Sequence, residues 1–170
     1  MNKESYLDRF RADREAWEKL VSEVGEARMS QPGVMGEWTF KDLVAHLTGW
    51  RERTAMRVQA GCRIEAQNPP WWPHGVEGES DEDVERINTL IYEFNRARSA
   101  QDVLEDSERV LRLLEDSLQD LSEEAFSSQD CFAWTGGKPL IEIDLLDHWH
   151  TEHEPGVRTW LAQSQSAAKW

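Results

Sequence analysis

The sequence predicts an all-α protein built as a four-helix bundle, and three observations carry that prediction. Apolar residues recur at three- and four-residue steps in four separate stretches, the spacing that lines one face of a helix. Helix-starting and helix-breaking residues bound these stretches. No stretch alternates apolar and polar residues over a length convincing for a strand, so the apolar stripes must cover one another. With 170 residues the chain forms a single domain, 1–170, large enough for a core that needs neither disulfide nor structural metal.

Helix one is expected over 1–26. Leu7, Phe10, Arg14, Trp17, Val21 and Val24 fall on one stripe, and Gly25 ends it. Pro32, Gly33 and Gly36 make the next segment a loop. Thr39, followed three residues later by Asp42, opens helix two over 39–60 with a variant of the capping box. Its apolar face holds Phe40, Leu43, Val44, Leu47 and Trp50, and His46 lies on that same face. Between Gly61 and Ser80 the pattern gives way to Asn68-Pro69-Pro70-Trp71-Trp72-Pro73-His74-Gly75. Three prolines exclude a helix there and two tryptophans favour burial, which reads as a folded lid with His74 as a packing residue.

Ser80 caps the third helix, and Asp81, Glu82 and Asp83 sit at its positive dipole end, which explains the acidic run without function. Helix three is expected over 81–121 with Val84, Ile87, Ile91 and Phe94 inward, broken near Ser99, where Ser99 and Asp102 repeat the capping pattern. Val103, Val110, Leu111, Leu114, Leu118 and Leu121 continue the stripe. A loop with Phe132, Trp134 and Gly136-Gly137 leads to Pro139, suited to the first position of helix four over 139–162. Leu146, His150, His153 and Val157 share one face of that helix, and Pro155-Gly156 should kink it.

Composition narrows the function. Hydrophobic residues are 39% of the chain and charged residues 31%, which excludes a membrane span and general disorder. A formal charge of -14 repels a nucleic-acid backbone over most of the surface and argues against such a partner. Cys62 and Cys131 lie outside any CxxC or CxxH spacing and no signal-peptide apolar core is present, so both are expected as reduced, small apolar residues in a cytoplasmic protein. Serine-hydrolase, P-loop, Rossmann and His-Glu-x-x-His motifs are absent.

The five histidines are the main chemical signal. His46 on one helix and His150 with His153 on another can meet in a bundle core, where imidazoles serve as metal ligands or acid-base groups. A buried, hydrogen-bonded core histidine is the plainer reading of His46. His148 points with Asp144 and Glu152 along another face and reads as a surface residue.

Glu37-Trp38-Thr39-Phe40-Lys41-Asp42-Leu43-Val44-Ala45-His46-Leu47 followed by Trp50 resembles the helix-two signature of the DinB-like four-helix-bundle superfamily. Ile87-Asn88, Ile91-Tyr92 and Asn95, then Phe132-Ala133-Trp134-Thr135-Gly136, then Glu152-His153 with Pro155, Val157, Arg158 and Trp160, resemble its ClbS-type (DUF1706) subgroup. The superfamily resemblance implies an up-down-down-up bundle around a central pocket, often with a divalent metal held by one helix-two histidine and two from helix four. His46 matches the first. Many relatives carry His-x-x-x-His in helix four, whereas Trp149 stands four before His153 here, so His46, His150 and His153 are the expected set. One divalent ion (Zn, Ni, Mn or Fe) and no metal at all both stay open.

Trp50, Trp72, Asn88 and Trp134 are the candidate substrate-binding residues. The subgroup resemblance implies a protective hydrolase that opens a cyclopropane-type electrophile, with His150, His153 and His46 as the catalytic candidates. A metal-dependent thiol S-transferase and a non-catalytic sequestering or dimerising bundle are the alternatives. In each case the partner is a small molecule, and pairing through an exposed helix face into a homodimer is left open.

Overall fold

The computed structural model describes residues 2–63 and 68–167. Its helices are α1 (Lys3–Val24), α2 (Phe40–Ala60), α3 (Asp81–Asn95), α4 (Ala100–Asp120), the short α5 (Glu123–Ser127) and α6 (Glu154–Ala167). A two-stranded antiparallel hairpin, β1 (Pro32–Met35) and β2 (Trp38–Thr39), is inserted between α1 and α2. The fold is thus all-α apart from that hairpin. Among the described residues no helix is long and apolar enough to cross a membrane.

Local chemistry sets the helix starts. Asn2, Thr39, Ser80, Ser99 and Ser122 each accept a backbone N–H of the turn they open. At Thr39 the box is reciprocal, because the Asp42 carboxylate also accepts the Thr39 backbone N–H at 2.9 Å. The break within the expected third helix falls between Asn95 and Ala100, where Lys41 of α2 donates to the carbonyls of Asn95 and Arg96 at 2.9 and 3.2 Å.

The core is one apolar cluster in which α2 is packed along α4 and against α3. Gly49 permits the close α2–α3 approach, since a Cβ there would lie 2.5 Å from Cδ1 of Ile91. Tyr6, Trp17, Phe40, Leu43, Leu47, Ile87, Leu114 and Leu118 are all buried. On the polar side of α1, Arg11 and Arg14 both pair with Glu115 of α4, so Arg14 leaves the apolar stripe for an ion pair. Phe94, expected inward, is 73% exposed, because only Ile87 and Ile91 face α2 while Phe94 lies over the groove between α3 and α4.

Three further expectations are corrected. The hairpin escaped notice because β2 is two residues long and cannot show an alternating pattern. Pro139 does not open a long helix: it precedes a single 3-10 turn at Leu140–Glu142, and helical backbone resumes only at Asp147. Cys62 and Cys131 are joined in a disulfide, 69 residues apart in sequence with Cα atoms 4.3 Å apart, so they are not free thiols. That bond fastens the end of α2 to the loop carrying Phe132 and Trp134. The predicted lid is described from residue 68 onward, and residues 64–67 lie outside the described residues. Within it Trp72 is buried, Trp71 is 39% exposed, and His74 is exposed and not packed.

Candidate metal centre

α2 and the segment leading into α6 bring three histidines together. The Nε2 atoms of His46 and His148 are 3.2 Å apart and those of His153 and His148 are 3.0 Å apart. One ligand atom from each lies within 4.8 Å of the others. His46 and His153 are buried, while His148 is exposed at the rim.

A π turn makes this possible. From Trp149 to His153 the backbone winds with i→i+5 bonds, the Glu154 N–H bonding to the Trp149 carbonyl. In a regular α-helix residues 148 and 153 would point about 140° apart, whereas 150 and 153 would be about 60° apart. In the wider turn residues five apart come onto one side, so His148 and His153 face His46 together. Pro155 follows at once, and a proline offers no N–H and crowds the carbonyl four residues before it. The expected kink at Pro155-Gly156 is realised as this turn, upstream of the proline.

The expected set of His46, His150 and His153 is therefore corrected. His150 turns out of the cluster, its Nδ1 3.0 Å from Oε2 of Glu154 and its Nε2 3.8 Å from Asp13. His148, read as a surface residue, takes its place.

The donors suit a cation better than protons. Nε2 of His148 touches two other Nε2 atoms, yet a neutral imidazole nitrogen carries either one hydrogen or one lone pair. One proton satisfies one contact and leaves the other repulsive; a cation accepting all three lone pairs satisfies every one. Tetrahedral zinc at its usual bond length sets ligand nitrogens about 3.3 Å apart, close to the observed spacing. An all-imidazole set also suits zinc, nickel or iron better than oxygen-seeking manganese.

The surroundings hold the imidazoles neutral. Burial, and then the neighbouring His153 and His148, push His46 down to about 3. Burial, then His148 and Arg51, push His153 down to about 4. His148 is also lowered, first by what burial it has. Nδ1 of His153 stands 2.9 Å from Sδ of Met35 on β1. A hydrogen directed at that sulfur fixes the tautomer that leaves Nε2 free as a ligand. Trp38 of β2 lies against His46 with ring centroids 5.3 Å apart.

Two cavities flank α2. One, about 370 Å³, is lined by His46, Trp50, Arg51, Asn88, His148 and Trp149, among others, and is the one that reaches His46 and His148. The other, about 460 Å³, lies on the opposite face of α2 between Trp71, Phe94 and Arg109 and contains no histidine. Of the four substrate-binding candidates, Trp50 and Asn88 line the histidine cavity, tied by a 2.9 Å bond from the Trp50 indole N–H to Oδ1 of Asn88. Trp72 and Trp134 do not line it. Trp72 packs behind Trp50 and donates to the Val76 carbonyl at 2.7 Å, while Trp134 packs on Phe132. Trp149, a wall of the cavity, was missed because α-helical spacing gives it no place beside His46.

Comparison with known families matches residues 7–141 to the DinB superfamily. Searches among curated proteins and solved structures return no match. The matched span includes His46 and ends before His148 and His153, so the second half of the histidine cluster is known from the geometry just described. Covering most of the sequence, the match shows that the chain belongs to the DinB superfamily.

Proposed function

We propose that the protein is a metal-dependent detoxifying enzyme that joins a thiol to an electrophilic small molecule in the histidine cavity. The convergence of three neutral imidazole nitrogens from two chain segments carries this reading. His46, His148 and His153 would hold a divalent ion, and His46 and His148 also line the cavity. Such an ion, when bound, lowers the pKa of a thiol or water that reaches it and so supplies a nucleophile at neutral pH.

The protein's own groups do the rest. Burial keeps His46 and His153 deprotonated, so no proton competes for their lone pairs at neutral pH. Met35 orients His153. Trp50, fixed by Asn88, and Trp149 present apolar walls that receive the electrophile and thin the water around it. In the reaction the thiol proton leaves to solvent at the exposed rim and a carbon–sulfur bond forms. The bond broken at the electrophile leaves its electron pair on the departing atom, which takes up a proton.

One observation favours a second reading. His148 stands at an exposed rim, open to water, and water in place of the thiol gives the ring-opening hydrolysis implied by the ClbS-type resemblance. Chelator-stripped and zinc-reloaded protein, incubated with an activated cyclopropane and a low-molecular-weight thiol and followed by mass spectrometry, separates the two. A thioether formed only by the reloaded protein supports the transferase, and a hydrate supports the hydrolase. Tight binding with no product in either sample leaves a sequestering protein. Equal turnover with and without metal refutes the proposal.

A further inference from the structure

The histidine cavity also holds a positive charge that the ligand set does not explain. Arg51, on α2, lines the cavity and is only 6% exposed. Among the described residues it has no carboxylate partner, and its Nη1 is buried without a hydrogen bond. Burial alone pulls it down to about 10, with no acidic neighbour acting in the other direction. Its one evident compensation is the face of Trp17, 4.8 Å from the guanidinium carbon, which offsets only a small part of the cost of taking a cation out of water.

The neighbouring arginines are different. Arg53 donates to the Glu77 carbonyl and to Oδ1 of Asn68 and stands 3.7 Å from Glu79, and Arg57 reaches the same carboxylate at 3.7 Å. Among the described residues Arg51 is thus the arginine of this wall with no carboxylate partner. Any divalent ion on the histidines adds to the same excess of positive charge. Among the described residues this guanidinium has no acid beside it, although acids are the commonest charged residues of a chain with a formal charge of -14. That arrangement is costly for the folded protein by itself and favourable once an anion enters.

We infer that Arg51 is the anion receptor of the histidine cavity and that the small molecule bound there carries a carboxylate. Its planar fork receives the two oxygens of a carboxylate as a bidentate pair. Trp50, Leu145, Leu146 and Trp149 give the wall an apolar stretch, which suits a carboxylate attached to a partly apolar body. The inference rests on the proposed function for the identity of the site and adds to it the class of molecule received.

The test uses 3-phenylpropionate and its uncharged amide as probes, with binding to zinc-reloaded and metal-free protein measured by calorimetry. Wild type should bind the acid at least about tenfold more tightly than the amide, the value of a charge-assisted bond in a shielded site. In R51M that preference should vanish while zinc affinity, read separately with a chromophoric chelator, is retained or strengthened. No preference in wild type, or an undiminished preference in R51M, overturns the inference. The wild-type comparison needs no variant, so poor folding of R51M leaves the test intact. Protein that holds zinc but shows no acid preference overturns this inference alone. Protein that prefers the acid through Arg51 and holds no zinc supports it and overturns the metal-dependent function.

Discussion

Replacing His148 by alanine should cripple metal binding, and replacing His150 should not, although α-helical spacing favours the reverse. Structural zinc sites with four ligands are worth about 10–16 kcal/mol, or roughly 3 kcal/mol per ligand. Here the protein supplies three nitrogens, so loss of His148 should weaken zinc binding by roughly 10²-fold. His150 is engaged with Glu154 and Asp13 outside the cluster, so its removal should change zinc affinity by less than about threefold. The assay is competition with a chromophoric zinc chelator at pH 7.5, with circular dichroism as the control for folding. A His150→Ala variant that loses as much affinity as His148→Ala refutes the π-turn geometry, because the helix would then be presenting 150 and 153 in α-helical register. Equal retention by both variants refutes the cluster as a metal site.

Acid should destabilise the metal-free protein in a defined window. His46 and His153 are lowered to about 3 and about 4, against 6.5 when unfolded, so below pH 6.5 the unfolded chain binds more protons. Their contribution is fully present above 6.5 and is lost as pH falls toward 4 and then 3, at roughly 1.4 kcal/mol per unit for each group at most. Urea midpoints should therefore fall between about pH 6.5 and 4, and less steeply in His46→Leu; identical slopes contradict the assignment. Breaking the Cys62–Cys131 bond, which closes a span of 69 residues, should cost about 4 kcal/mol in the chain-entropy account. Urea unfolding of Cys62→Ser tests this, and an unchanged midpoint would rule it out. Met35→Leu keeps the bulk but removes the sulfur facing Nδ1 of His153, and should weaken zinc binding about tenfold, as loss of an orienting partner does. Unaltered affinity in the chelator competition would show that Met35 only packs.

For the histidines, sequence and structure agree where helix periodicity is unbroken. His46 was legible because it sits among Phe40, Leu43, Leu47 and Trp50 on a stripe that an ordinary α-helix must bury. His153 was legible for the same reason beside Val157. His148 was not, because every spacing argument assumed 3.6 residues per turn and the chain abandons that value between Trp149 and His153. The one available signal was Pro155, which removes a donor where the helix would need it; it was read as a kink and not as a change of register. Met35 depends on a hairpin too short to pattern, and the disulfide on a chain path that brings residues 69 apart together. Arg51 carries no pattern that marks it in the sequence. Its Nη1 is buried without a hydrogen bond among the described residues, which only the packed structure reveals.

The most direct test of the account is an anomalous-scattering crystal structure of the protein loaded with one equivalent of zinc. The account predicts a single peak bonded to Nε2 of His46, His148 and His153, with His150 remaining on Glu154. A peak bonded to His150 in place of His148, or no ordered zinc at these three imidazoles, would contradict it.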